Sequence, residues 1–169
     1  MKKLVIALLA LIILFSCAAC NSKPADSSSL DSASSDFTLA NIGEWRLTLA
    51  TSEGEKEFTG ADAAKLEAVT LEATTKNKNG EESTSEYTGV KLSDVLNHAG
   101  VTDLESLTVE AADGFSADFD KELALKDDTI LAWAKNGEPL EGENPLQMVP
   151  KSGTGNQFVK TVVRITVHV

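Results

Sequence analysis

The sequence predicts an α+β domain dominated by short β-strands, which form mixed sheets with a few short helices. Three observations favour this class. Short segments in which apolar and polar residues alternate recur along the chain. Turn-forming Gly, Asn and Asp residues separate these segments, and only two or three segments show helical spacing. Residues 37–169 are long enough for one hydrophobic core and too short for two.

Each strand is predicted from alternation or from a short apolar run bounded by turn residues. The predicted strands cover residues 45–49, 56–59, 68–74, 107–111, 115–120, 129–134, 146–150 and 158–169. The last strand is predicted from alternating Val and Ile residues, and the run 129–134 is apolar enough to be a buried strand. Turns are expected at residues 52–55, 77–80, 113–114 and 136–137.

Two segments predict helices. Apolar residues recur at helical spacing over 92–99, and Gly100 follows as the C-terminal cap. A shorter helix is expected over 60–66. Gly89 and Gly114 are expected to permit a bend or a positive φ where strands end, because glycine lacks a Cβ.

The N-terminal segment 1–20 has the features of a bacterial lipoprotein signal. Two lysines precede an apolar run that is shorter than the ~20 residues needed to span a bilayer. Leu14-Phe15-Ser16-Cys17 resembles a lipobox, whose cysteine becomes the lipidated N-terminus. Cys20, preceded by small residues, is the competing attachment site, with Cys17 slightly favoured. We therefore expect a domain anchored by lipid to the extracytoplasmic face of a bacterial cell membrane.

Residues 21–36 are rich in Ser, Asp and Ala and predict a flexible tether.

The net charge of −11 becomes −13 when segment 1–16, with its two lysines, is removed. Such an acidic chain repels nucleic-acid phosphates and anionic lipid, so no nucleic-acid partner is expected. Because both cysteines lie in the signal, the domain is expected to have no disulfide, Cys-ligated zinc or cysteine nucleophile.

Five motifs within residues 41–169 carry a resemblance to a known family. They lie at residues 87–96, 109–115, 131–140, 144–150 and 158–167. In this order they resemble the molybdopterin-binding domain of the sulfite oxidase family, which includes membrane-side and periplasmic oxidoreductases. The resemblance implies the fold of that domain.

The resemblance also implies a cysteine thiolate that ligates molybdenum, expected in segment 69–78. That segment contains no cysteine, and its threonine hydroxyls do not provide soft thiolate bonding. The family holds the pterin phosphate with basic side chains, but Gln147 and Gln157 stand at two of those positions and only Lys160 is retained. We therefore expect the fold without a cofactor, with molybdopterin as the alternative.

A ligand pocket is expected where the pterin would lie. Its predicted lining residues are Phe115, Trp133, Lys151, Ser152, Gly153, Thr154 and Lys160. Phe115 and Trp133 are better explained as core residues. The glycine-rich segment 151–156 is better explained as a mobile loop, because it lacks the Gly-Lys-Ser/Thr sequence of a phosphate-binding loop. Lys160 is either the anchor of a small anionic or polar ligand or a solvated charge.

The sequence therefore favours a membrane-anchored, non-catalytic binding or accessory module. The alternative is an oxidoreductase that binds molybdopterin or another redox cofactor through an altered set of ligands. A third interpretation is a structural module that contacts a protein partner at the cell surface.

Overall fold

The computed structural model describes residues 42–76 and 79–169, all of which lie in the unit Ser34–Val169. The predicted signal, both cysteines, the tether and part of the turn 77–80 lie outside the described residues. The strands are β1 Arg46–Thr51, β2 Gly54–Thr59, β3 Ala68–Lys76, β4 Glu82–Lys91, β5 Ser106–Ala111, β6 Ser116–Asp120, β7 Thr129–Lys135, β8 Glu138–Pro139, β9 Gln147–Pro150 and β10 Val162–His168. The helices are α1 Gly60–Ala63, α2 Leu92–His98 and α3 Lys121–Ala124, with a 3-10 turn at Gly155–Gln157.

The first sheet has the order β2-β1-β10-β5-β6. Strands β1 and β10 run parallel, whereas the other neighbours are antiparallel. Alternate residues face the core, so Leu49, Ile165 and Val109 lie beside one another in register and are fully buried. This arrangement confirms the predicted mixed sheet.

The second sheet has the order β3-β4-β7-β8, and β9 also pairs with β7. All residues of β7 from Thr129 to Ala134 are buried, because the strand has apolar neighbours on both faces. One face contributes Leu131 and Trp133 to the main core. The other contributes Ile130 and Ala132 to a second apolar cluster, completed by Ala73, Tyr87 and Val149. The predicted buried strand is therefore confirmed.

Strand β4 is a central strand that the sequence analysis did not predict. It pairs with β3 along its whole length and with β7 on its other side. Its first half is mostly exposed, so the sequence there lacks an apolar signal. The strong turn after β3 was the available clue, because a hairpin turn implies a returning strand.

Two further expectations are wrong in detail. The last strand begins at Val162 rather than at residue 158, because Thr161 has a φ of +49°, which interrupts the extended backbone before the strand. Gly89 has no positive φ and lies within β4 rather than at its end, although a register irregularity at this position is compatible with the expected bend. It lies instead where β4 and β7 approach closely: a Cβ there would be 2.1 Å from the carbonyl oxygen of Leu131. Gly114 does have a positive φ of +85°, as predicted.

Helix α2 buries Leu92, Val95 and Leu96 and is followed by Gly100 with a φ of +81°, which confirms the predicted helix and its cap.

Helix α1 is the shorter predicted helix, and its N-terminus has a capping box. The Asp62 carboxylate accepts hydrogen bonds from the Thr59 amide at 3.1 Å and from the Thr59 hydroxyl at 2.8 Å.

The same carboxylate joins α1 to α2. Asp62 accepts a hydrogen bond from Lys65 at 2.9 Å, and the His98 Nε2 lies 3.6 Å from it. The Lys65 and Thr59 hydrogen bonds lower the pKa of Asp62 from 3.8 to about 2. Its side chain is only 22% exposed, so these contacts are partly shielded from water.

We expect the substitution Asp62→Asn to make the free energy of unfolding less dependent on pH between about pH 4 and pH 2. Because the folded-state pKa lies below the unfolded value, the ionised carboxylate stabilises the fold above about pH 4, and this contribution is lost as the pH falls towards 2. Chemical denaturation should show the wild-type advantage over the variant narrowing by about 1–2 kcal/mol across that interval. A constant difference would contradict the assigned contacts.

Candidate functional site

Lys160 lies in a cleft of about 170 Å³ between β7, β9 and the start of β10. We call it the Lys160 cleft. Its lining residues are Lys135, Leu140, Glu141, Asn144, Pro145, Leu146, Gln147, Lys160 and Thr161. Sequence reasoning had singled out Lys160 as a pocket residue and Gln147 as a departure from the family, but it did not place the others in a pocket.

Backbone pairing brings Lys160 beside Gln147. The two residues form an isolated antiparallel bridge, flanked by hydrogen bonds from the Met148 amide to the Val159 carbonyl and from the Val162 amide to the Leu146 carbonyl, at 2.8 and 3.1 Å. The Gln147 residue is 4% exposed, so it forms part of the cleft floor. The exposed Lys160 lies at its rim.

Strained backbone lies next to this lysine. Thr161 has a φ of +49°, which is unfavourable for a β-branched residue and costs of order 1–3 kcal/mol. The Thr161 carbonyl is held by the Ala112 amide at 3.0 Å, and its hydroxyl donates to the Lys160 carbonyl at 2.7 Å. These contacts fix the direction in which the chain leaves the cleft.

The ionised side chains of the cleft are two lysines and one glutamate. Lys135 lies over the Tyr87 ring, with its Nζ 5.5 Å from the ring centroid, a cation–π arrangement that orients the ammonium group. Glu141 is the opposing carboxylate. The lining therefore carries one net positive charge in a chain whose net charge is −11, which favours small anionic or polar ligands over cations.

The glycine-rich segment lies in a different cleft. Ser152, Gly153 and Thr154 line a surface depression of about 400 Å³ together with Asp120, Glu122, Leu123, Lys126 and Gln157. The structure therefore places Lys160 in one cleft and Ser152, Gly153 and Thr154 in another. Ligand binding in either cleft stays a prediction.

The segment also forms several hydrogen bonds within the protein, while its expected mobility stays a prediction. The Gln157 side chain accepts from the Thr154 amide at 2.9 Å and donates to the Asp118 carbonyl at 2.9 Å. The Ser152 hydroxyl donates to Asp128 at 2.7 Å. These polar groups are engaged within the protein, which leaves them poorly suited to surround a phosphate.

The two predicted aromatic lining residues have different positions. Trp133 is 1% exposed and packs in the main core, as its core interpretation predicted. Phe115 is 46% exposed and follows the tight turn that connects β5 and β6, so its expected burial is wrong. Lys151 is exposed in the turn after β9; its amide donates to the Asp128 carbonyl at 3.0 Å.

The segment in which a molybdenum-ligating thiolate is expected forms most of β3. Among its described residues, 69–76, only Ala73 is buried, at 2% exposure. Ala73 packs in the second apolar cluster with Tyr87, Ile130 and other apolar residues. A methyl group has no lone pair for a metal, so the one inward position that is well buried offers no ligand.

The phosphate end of the pterin site also differs from the pattern implied by the family. Gln147 supplies a neutral amide in place of a cation, and the Gln157 amide is engaged by the Asp118 carbonyl. No cluster of three or more His, Cys, Asp or Glu side chains suited to a metal occurs within residues 42–76 and 79–169. At the positions that the resemblance implies, the chain therefore offers neither the thiolate nor two of the cations of the family.

The chain belongs to the family described as oxidoreductase molybdopterin binding domain, whose sequence model matches residues 35–169. A similar solved structure is the sulfane dehydrogenase SoxCD from Paracoccus pantotrophus, with a TM-score of 0.64 and 28% sequence identity. The match covers 73% of this chain and 38% of the SoxCD chain, so this protein spans well under half of that relative. No curated protein shows significant similarity to the chain.

These comparisons confirm the resemblance and the β-dominated fold that the sequence predicted. The family is defined by a cofactor-binding domain, which favours molybdopterin as a ligand, whereas Ala73 and Gln147 oppose it. No helix in the described part of the chain is both long and apolar enough to cross a membrane.

Proposed function

We propose that the protein is a membrane-anchored, extracytoplasmic binding or accessory module that uses the molybdopterin-binding fold without molybdenum chemistry. The observation that carries the proposal is Ala73. It occupies the buried position of the segment in which the family places its thiolate, and it packs among apolar side chains. An alanine packed among apolar side chains supplies no soft protein ligand for molybdenum.

The Lys160 cleft is the proposed ligand site. Lys160 and Lys135 supply two ammonium groups, and Gln147 supplies a neutral amide. The side chains of Asn144 and Thr161 are already hydrogen-bonded to backbone groups of the protein. Glu141 disfavours a highly charged anion, because it adds a negative charge to the lining of the cleft. A small polar molecule with one negative charge matches this set best, with Lys160 as its anchor.

The family match favours a second candidate, an oxidoreductase that holds molybdopterin or another redox cofactor through other ligands. The family model matches residues 35–169, and this range includes all residues of the Lys160 cleft. Under this candidate the cleft would hold part of the cofactor rather than a separate ligand.

Metal analysis separates the two candidates. Protein purified from a host that synthesises molybdopterin should contain no stoichiometric molybdenum, because the soft ligand is absent. Native mass spectrometry of the same preparation should detect any small ligand. Lys160→Ala should lower its occupancy, whereas Lys151→Ala, which removes an exposed lysine outside the Lys160 cleft, should not. Stoichiometric molybdenum would overturn the non-catalytic proposal in favour of the oxidoreductase.

The proposed anchor is a lipid on Cys17 or Cys20, and residues 21–36 are the proposed tether between the lipid and the domain. This proposal rests on the apolar signal and the lipobox-like sequence. The negative charge of the chain gives the domain no electrostatic attraction to anionic lipid. A protein partner at the cell surface is compatible with such an accessory module.

We expect a metabolic fatty-acid label to become attached to the protein in bacterial cells. Replacing the modified cysteine by serine should abolish labelling, whereas the same replacement at the other cysteine should leave it unchanged. Because Cys17 has the better lipobox, Cys17→Ser should be the variant that loses the label. Labelling that persists when both cysteines are replaced would show that neither is the anchor.

A further inference from the structure

We propose that the outer edge of β3 is a self-association surface on which two copies pair antiparallel, so that Glu72 of each copy faces Lys76 of the other. The proposal concerns an edge of the second sheet and is independent of any ligand in the Lys160 cleft.

Strand β3 is the longest edge strand of the described residues. It has nine residues and pairs only with β4 among the described strands. The other edge strands β2, β6, β8 and β9 have six, five, two and four residues. Pro139 interrupts hydrogen bonding at β8, and the Gln157 side chain already occupies the Asp118 carbonyl of β6. Among the described residues β3 contains no proline, and a long edge strand of this kind is a template for another strand.

The charges on this edge favour a particular partner. In the hairpin Glu72 lies directly opposite Glu86, and like charges in that position are destabilising. Lys76 lies opposite Glu82 and forms an ion pair with it at 3.1 Å. A cation on the open side of Glu72 would relieve the repulsion from Glu86.

A second copy supplies that cation. When two β3 strands pair antiparallel about a two-fold axis at Thr74, Glu72 of each strand lies opposite Lys76 of the other, and the two Thr74 residues face each other. These side chains share the exposed face of the strand. The threonine contact extends a row that already contains the Thr74–Thr84 hydroxyl pair at 2.7 Å. An axis at Glu72 would instead place two glutamates opposite each other, which disfavours that register.

Sedimentation velocity of the purified full chain in nonionic detergent tests the proposal across the micromolar range. We expect a monomer–dimer equilibrium that weakens as salt is raised. Glu72→Lys and Lys76→Glu should each weaken dimerisation at least about tenfold, because like charges then face each other across the axis. The double reversal should restore dimerisation, since it exchanges the charges without changing their pairing.

The control is Glu138→Lys, which makes the same charge change on β8 at the other side of the sheet and should leave dimerisation unchanged. Misfolding is a poor explanation for an effect of Glu72→Lys, because the new lysine faces Glu86 and improves the hairpin. A wild-type chain that is monomeric throughout overturns the proposal. Failure of the double reversal to restore association, or loss of association in the Glu138→Lys control, does so as well.

Discussion

Gly89→Ala should destabilise the protein by about 3 kcal/mol or more, a large part of the 5–15 kcal/mol that holds a typical domain folded. Gly89 lies in β4 at a register irregularity against β7. An added Cβ would lie 2.1 Å from the Leu131 carbonyl oxygen and 2.6 Å from the Ala132 Cα. Both atoms belong to the backbone of a buried strand, so no side chain can rotate away to make room.

Thermal and denaturant unfolding would measure this effect, and we expect an insoluble protein or a much lower melting temperature. Gly155→Ala is the matched control. A Cβ at Gly155 meets only the Lys76 carbonyl oxygen at an ordinary 3.7 Å, and its φ is not positive, so its stability should change little. A Gly89→Ala protein as stable as the control would show that β4 and β7 are farther apart.

Elements with a strong local signal could be predicted from the sequence. Strand β10 alternates apolar residues, and α2 combines helical spacing with a glycine that has a positive φ immediately after it. In both cases the local pattern and the tertiary environment favour the same structure. Strand β4 lacked this agreement, because its exposed first half has no apolar periodicity and its pairing with β7 depends on residues far away in sequence.

The composition of the Lys160 cleft was not predictable in the same way. Lys135, Gln147 and Lys160 belong to separate segments, which meet because β7 pairs with β9 and Gln147 bridges to Lys160. A Thr with positive φ lies beside that bridge, and no local residue preference predicts it. Conversely, the predicted pocket grouped residues that the sheets separate, with Trp133 in the core and Phe115 after an exposed turn.

The fold and its cofactor chemistry depend on different residues. The main core is formed by many apolar side chains spread over both sheets, so family membership survives the loss of any one polar group. The resemblance implies one thiolate ligand in segment 69–78, where this chain has no cysteine and where, among the described residues, only Ala73 is buried. A small apolar residue at that position packs well among Tyr87 and Ile130. For this reason the family resemblance predicts the architecture more securely than the chemistry.

Ile165→Asp should abolish folding at physiological temperature. Ile165 is fully buried in β10, between Leu49 of β1 and Val109 of β5. The substitution removes about 2 kcal/mol or more of apolar burial and places a carboxylate among side chains that offer it no hydrogen bond. That carboxylate must either remain charged at a cost of several kcal/mol or take up a proton.

The neighbouring Thr166 provides the control, because alternate residues of a strand face opposite sides of the sheet. Thr166 is half-buried on the polar face, opposite Thr108, so Thr166→Asp should cost no more than about 1 kcal/mol. Circular dichroism and thermal unfolding of the two variants measure the difference. A folded Ile165→Asp protein that melts close to Thr166→Asp would show that Ile165 does not face the core, and the parallel pairing of β1 with β10 would then be wrong.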